Sequence, residues 1–170
     1  LSDSSDPAIA AEEEAQVVAW QARASSIVPI HYRRRTSNKG FKAGNIEEFC
    51  EDNHGKYDFS LPFDADSRMS AKAILRLVRI MQASPEIGIL QGLVVGSPSR
   101  TFFTRAFQFG MRHGMRSYTL GSAWWQGDCG PFWGHNAVIR LDAFYEHCRP
   151  PVIPGKSPLS GYMMSHDQVE

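Results

Sequence analysis

Phe59-Ser-Leu-Pro-Phe-Asp64-Ala-Asp66-Ser67 is an apolar run that ends in two carboxylates spaced two apart. A buried strand delivering Asp-x-Asp into a loop is one way for a sheet to offer oxygen ligands to a divalent metal, which can in turn hold a diphosphate. The same triplet is frequent in turns, where both side chains bond nearby backbone amides. On the triplet alone both readings stand, and the flanking chain has to decide.

The flanks alternate strand and helix. Leu1-Ser-Asp3 reads as a strand end. Asp6 can cap a helix that begins near Pro7 and runs from Ala8 to Ala24, with acids toward its N-terminus. Ile27–Tyr32 reads as a short strand and the segment from about Gly44 to Cys50 as a helix. Tyr57–Phe63 is the strand that carries Asp64 and Asp66. Ser70–Ala83 is an amphipathic helix with Ile74, Leu77, Val78 and Met81 as its apolar stripe, and Ile87–Val95 is a further strand. This alternation predicts an α/β fold with a mostly parallel sheet covered by helices, its ligands lying outside the carboxyl ends of the strands.

Beyond Ser99 the pattern changes. Thr101 to about Tyr118 reads as a helix with Phe103, Phe107, Met111 and Met115 at four-residue steps. Such a stripe packs into a core, or against a membrane-proximal element of a longer protein. The segment from Gly121 to Asn136 holds Trp124, Trp125, Phe132, Trp133 and Gly134 among Gln, Asp, His and Asn. Aromatic faces flanked by such groups suit carbohydrate, and they equally suit a Trp-rich core with turn glycines. Ala137–Arg140 is expected as a strand, Leu141 to about Cys148 as a short helix, and Pro150–Pro158 as a proline-broken loop.

Arg33-Arg-Arg-Thr-Ser-Asn-Lys39-Gly40-Phe-Lys42-Ala-Gly44 sets five cations beside two glycines and a helix start. This is either a phosphate cradle or a solvated basic loop. With 18 basic and 18 acidic residues the chain has no global field for nucleic acid. Its 170 residues, 42% apolar, suffice for a folded domain with a sizeable core. Cys50, Cys129 and Cys148 lack metal or disulfide spacing, which suggests buried thiols in a reducing compartment. The histidines lack ligand spacing, and the commonest hydrolase, triphosphatase and dinucleotide motifs are missing. No stretch of the chain is apolar for the ~20 residues a spanning helix needs. The chain opens like a strand end and closes at Asp167–Glu170 like a helix start, so a piece of a longer protein is expected.

Asp3, Lys42-Ala-Gly-Asn45, Asp64-Ala-Asp66, Gln91-Gly92, Phe132-Trp-Gly134 and Ser165-His-Asp167 come in one order. Together they resemble the processive family 2 glycosyltransferases, the group that includes cellulose synthase. The resemblance spans essentially the whole chain, with Tyr32–Ile46 and Trp133–Arg140 as its longest phrases. It implies a GT-A fold, incomplete at both ends, with residues 1–96 as the nucleotide-sugar half and 97–170 as the acceptor and base half. It further implies inverting transfer of glucose from UDP-glucose to a growing β-glucan in bacterial periplasmic glucan synthesis. Asp3 would contact the uracil and Lys42 would lie near the diphosphate. Asp64 and Asp66 would bind the UDP-sugar with Mg²⁺ or Mn²⁺. Phe132, Trp133 and Gly134 would line the acceptor, and Asp167 would be the general base.

Ser165-His166 replaces the family's Thr-Glu, and Trp133 replaces a Cys. The family's Gln-x-x-Arg-Trp element and its membrane helices would lie outside these residues, so residues 1–170 by themselves are expected to be inactive. The longer protein is expected in the bacterial inner membrane, with this domain facing the cytoplasm. Three alternatives remain beside this reading: another UDP-sugar-dependent polysaccharide synthase, a metal-dependent nucleotidyltransferase, and a UDP-sugar or carbohydrate-binding domain without turnover.

Overall fold

The computed structural model describes residues 1–23, 29–149, 151–156 and 161. They form two compact units, one built on Leu1–Asp52 with described residues of 150–166, the other on Asn53–Arg149.

In the first unit Asp6 starts helix α1 (Pro7–Arg23), its carboxylate accepting from Ala8 N–H at 2.8 Å. Glu12–Glu14 fall in the second turn rather than at the N-terminus. Glu13 instead takes the hydroxyls of Ser2, Ser4 and Tyr32 at 2.6, 2.7 and 2.7 Å, tying α1 to the chain start. The expected strand at Ile27–Tyr32 lies partly outside the described residues. Its described part, 29–32, is not a strand, and pairing occurs two residues later, in an isolated parallel bridge between Ser2 and Arg34. Helix α2 (Phe41–Asn53) begins three residues earlier than expected. Ile153 and Gly161 exchange backbone bonds of 3.0 and 2.8 Å.

The second unit is built on a three-stranded sheet of β1 (Phe59–Ser60), β2 (Ile89–Gln91) and β3 (Ala137–Arg140), in the order β1-β3-β2. Both pairings are antiparallel, with Phe59 opposite Arg140 and Leu90 opposite Val138. This corrects the expectation of a mostly parallel sheet. β1 and β2 do run the same way, as a strand–helix–strand crossover requires, but β3 inserts between them in the opposite direction. Alternation of element types constrains the crossover and not the neighbour. As the central strand, β3 carries an unbroken apolar run, and Ala137, Val138 and Ile139 are all buried.

Helix α3 (Ala71–Ala83) is capped by Ser70, whose hydroxyl accepts from Ala73 N–H at 3.2 Å. Its stripe falls as expected: Ile74, Leu77 and Val78 are half-buried and Met81 is fully buried. At the other end, Arg140 donates to the carbonyls of Met81, Ser84 and Ile87 at 3.0, 3.3 and 3.2 Å, a cation on the negative end of the helix. Helix α5 (Leu141–His147) buries Leu141 and Phe144, the latter packed edge-on against Phe132 with centroids 6.3 Å apart.

Helix α4 (Phe102–Gln126) departs most from expectation. It runs eight residues past Tyr118 and takes in Trp124 and Trp125. None of its residues is buried, and Phe103 and Phe107, expected in a core or against a membrane-proximal element of a longer protein, are 78% and 61% exposed. Its half-buried positions are Thr104, Gln108, Met115, Thr119 and Ser122, and Gln108 and Arg112 donate to Ser97 and Gly96 carbonyls at 2.6 and 2.9 Å. Of the cysteines, Cys50 is buried as expected, whereas Cys148 is half-buried and Cys129 exposed. Among the described residues, no helix is long and apolar enough to cross a membrane.

Candidate active site

In the second unit, three segments meet at the end of the sheet. The chain leaves β1 and turns at Asp64, whose carbonyl accepts from Ser67 N–H at 2.9 Å. Asp64 keeps its side chain partly exposed, and Asp66 is exposed. Phe132–Asn136 makes the second segment, reversing direction through Gly134 and Asn136 at φ of 77° and 55°, where glycine and asparagine carry least strain. The third is the end of β2 with Gly92.

Specific bonds hold them together. Asn136 N–H donates to Pro62 O at 2.9 Å, and Gly92 N–H to Asn136 O at 3.1 Å. The Gln91 amide works in both directions: its Nε2 donates to His135 O at 3.1 Å, and its Oε1 accepts from Trp133 N–H at 3.2 Å. A Cβ on Gly92 would stand 2.9 Å from Asn136 O, so this close approach requires glycine. His135 Nε2 then lies 3.6 Å from the Asp64 carboxylate. The acidic loop and the aromatic turn, 68 residues apart by number, are thus neighbours.

His135 Nδ1 and Asn136 Oδ1 are buried here without a hydrogen-bond partner in the protein. Buried polar atoms of this kind are normally completed by water or a bound group. Among the described residues no three His, Cys, Asp or Glu side chains converge as a metal cage. Two exposed-loop carboxylates nevertheless fit Mg²⁺ or Mn²⁺ of the kind shared with substrate phosphates, where the protein supplies only one or two oxygens.

In the first unit, Ser2 N–H donates to Arg33 O at 2.8 Å and Arg35 N–H to Ser2 O at 3.1 Å, which sets Asp3 beside Arg35. Arg35 grips Asp3 with both ends of its fork, Nε to Oδ1 at 2.7 Å and Nη2 to Oδ2 at 2.9 Å. The other side of the guanidinium reaches Lys39 O, Phe41 O and the Glu48 carboxylate at 2.9, 2.8 and 3.0 Å. Hydrogen bonding from Arg35 holds the Asp3 carboxyl below the usual carboxylate range, against the opposing effect of burial. Arg33 pairs with Glu48 at 3.1 Å and donates to Asn45, and Arg34 lies 3.9 Å from Glu14. The three arginines of the basic loop are therefore turned to carboxylates. Lys42 occupies the first turn of α2, directly after Phe41 at φ 52°.

Asp3 and Lys42 thus belong to one unit, and Asp64, Asp66, Phe132, Trp133 and Gly134 to the other. Asp167 lies outside the described residues. The Trp-rich segment divides, Trp124 and Trp125 riding on α4 while half-buried Trp133 sits in the turn. Four partners of these residues had no assigned role: Arg35, Gln91, His135 and Asn136. Gln91 and His135-Asn136 lie within phrases already singled out, so motif membership was their signal. Arg35 had none.

Residues 61–151 match the model of glycosyl transferase family group 2, a span that holds both the Asp-x-Asp loop and the Phe132–Asn136 turn. Three curated relatives, each called glucans biosynthesis glucosyltransferase H, align with all 170 residues. Identity is 42% with that of Cereibacter sphaeroides, 42% with that of Xylella fastidiosa and 39% with that of Pseudomonas aeruginosa. The chain spans 29%, 27% and 20% of their respective lengths. No solved structure matches it. With the match covering more than half its length, and taking in both the loop and the turn that the sheet brings together, the chain belongs to glycosyl transferase family group 2.

Proposed function

We propose that these residues are the donor-binding and acceptor-lining part of a GT-A catalytic domain. Its protein would transfer glucose from UDP-glucose, with inversion, onto a growing β-glucan in bacterial periplasmic glucan synthesis. The observation that carries this reading is the seating of the Asp64-Ala-Asp66 loop against the Phe132–Asn136 turn, with Asp64 3.6 Å from His135. The names of the relatives support the glucan product. The protein would lie in the bacterial inner membrane with this domain on the cytoplasmic side.

Asp3 would accept a hydrogen bond from the base and Lys42 would stand near the diphosphate. Asp64 and Asp66 would hold Mg²⁺ or Mn²⁺, and that ion, when bound, would offset the charge on the departing diphosphate. The Trp133 ring would offer a face for an acceptor sugar to stack on, while Phe132 is buried and packs edge-on against Phe144. An acceptor hydroxyl is a weak nucleophile until a carboxylate takes its proton, and Asp167 is the proposed base. A single base opposite the leaving group yields inversion, by the geometry that governs inverting glycosidases.

The test uses the full-length protein with radiolabelled UDP-glucose. Asp64→Asn and Asp66→Asn should each abolish glucan labelling and weaken Mn²⁺ binding followed by electron paramagnetic resonance. Asp167→Asn should abolish labelling while UDP still binds. Undiminished labelling in all three variants would reject the proposal, and turnover of ATP in place of UDP-glucose would favour a nucleotidyltransferase.

A further inference from the structure

We propose that Arg35 is a positioning residue that sets base selection, holding the Asp3 carboxylate as a fixed hydrogen-bond acceptor for the N3–H of a uracil-type base. The inference rests on the reading that Asp3 meets the base. Its basis is the geometry of one side chain. Arg35 is 8% exposed, and all three of its nitrogens are engaged. One side of the fork takes both oxygens of Asp3. The other side takes the Lys39 and Phe41 carbonyls and Glu48, with a longer contact of 3.3 Å from Nη2 to Asn38 Oδ1. The carboxylate is thereby fixed to the same turn that delivers Lys42 into α2.

Two bonds from Arg35 and one from Asn45 do not exhaust a carboxylate, whose two oxygens offer about four acceptor positions. While Asp3 is ionised it carries no proton, so the remaining position accepts and cannot donate. Uracil presents a donor at N3 and cytosine an acceptor, so an ionised carboxylate in fixed orientation pairs with the first and repels the second. A protonated Asp3 could donate to cytosine, and the distinction would fade. The groups around Asp3 favour the ionised form: Arg35 first, then Asn45 by hydrogen bonding and Arg33 by charge, while Glu48 is held off by both arginines. A lysine could not reproduce this arrangement, since an ammonium is a point charge without a planar fork.

The experiment titrates the full-length protein with UDP and with CDP by calorimetry, in wild type, Arg35→Lys, Asp3→Asn and the double variant. Arg35→Lys should weaken UDP about tenfold, the size of one misplaced charge-assisted hydrogen bond, and leave CDP nearly unchanged. Its UDP-to-CDP ratio should also fall more steeply on acidification than that of wild type. Because Arg35 acts through Asp3, the double variant should discriminate no worse than Asp3→Asn. A ratio and acid response in Arg35→Lys equal to wild type would overturn the inference while leaving the Asp3 reading intact. Additive losses in the double variant would overturn it too. Unchanged UDP binding in Asp3→Asn would remove the base contact and this inference with it. Should Arg35→Lys not fold, the charge-balanced Arg35→Gln/Glu48→Gln variant faces the same outcomes.

Discussion

Glu13 shows how much one side chain can hold at the start of this chain. Three hydroxyls donate to it, Ser2 foremost, and bring its carboxyl down from 4.5 to about 2. A folded-state value below the unfolded one means stability that is fully present above pH 4.5 and lost as the pH falls toward about 2. The melting temperature of wild type should therefore exceed that of Glu13→Gln at neutral pH, and the gap should close across that acid window. Tyr32, on the other end of one of these bonds, is shifted up by the same contact. At this scale the sequence was legible for residue identity and not for partnership. Asp3 stood out by its place in an ordered set of motifs, yet its partner lies 32 residues away in a run of three arginines. Nothing local separates Arg35 from Arg33 and Arg34; only the Ser2–Arg34 bridge buries one and leaves the others nearer the surface.

Among elements, close approaches give the sharpest expectations. A Cβ on Gly44 would stand 2.2 Å from Lys39 O, a backbone atom that cannot yield without moving the turn ahead of Lys42. Gly44→Ala should cost about 1–3 kcal/mol in denaturant unfolding, the usual price of overpacking. Gln91→Ala would leave Trp133 N–H and His135 O without their side-chain partner. Transfer to acceptor should then fall about tenfold with UDP affinity retained, since one unsatisfied polar group costs about 1–3 kcal/mol. Helices were readable because periodicity and caps are local: α3 lies within a residue of its expected bounds, with its stripe inward. Strand pairing was not readable, because the apolar run of β3 reports burial on both faces and is silent about the direction of its neighbours. For α4, four-residue spacing reported an apolar face but could not report whether any of these residues would cover it.

At the scale of the whole molecule, the chain divides at Asp52 and Arg149, so the proposed donor-base contact and the loop proposed to hold the metal are carried by different compact units. Residues 1–170 expressed by themselves should bind UDP weakly at best and make no glucan, measured by the same labelling assay. They should also self-associate in light scattering, because α4 presents Phe102, Phe103, Phe107 and Phe109 to water. The pair at the end of that helix has an optical consequence. Trp124 and Trp125 are 82% and 83% exposed and Trp20 52%, so three of the four indoles emit from water. Fluorescence of these residues should peak at long wavelength and be readily quenched by iodide. Anything that settles over the end of α4 would announce itself as a blue shift and a loss of quenching, without a label.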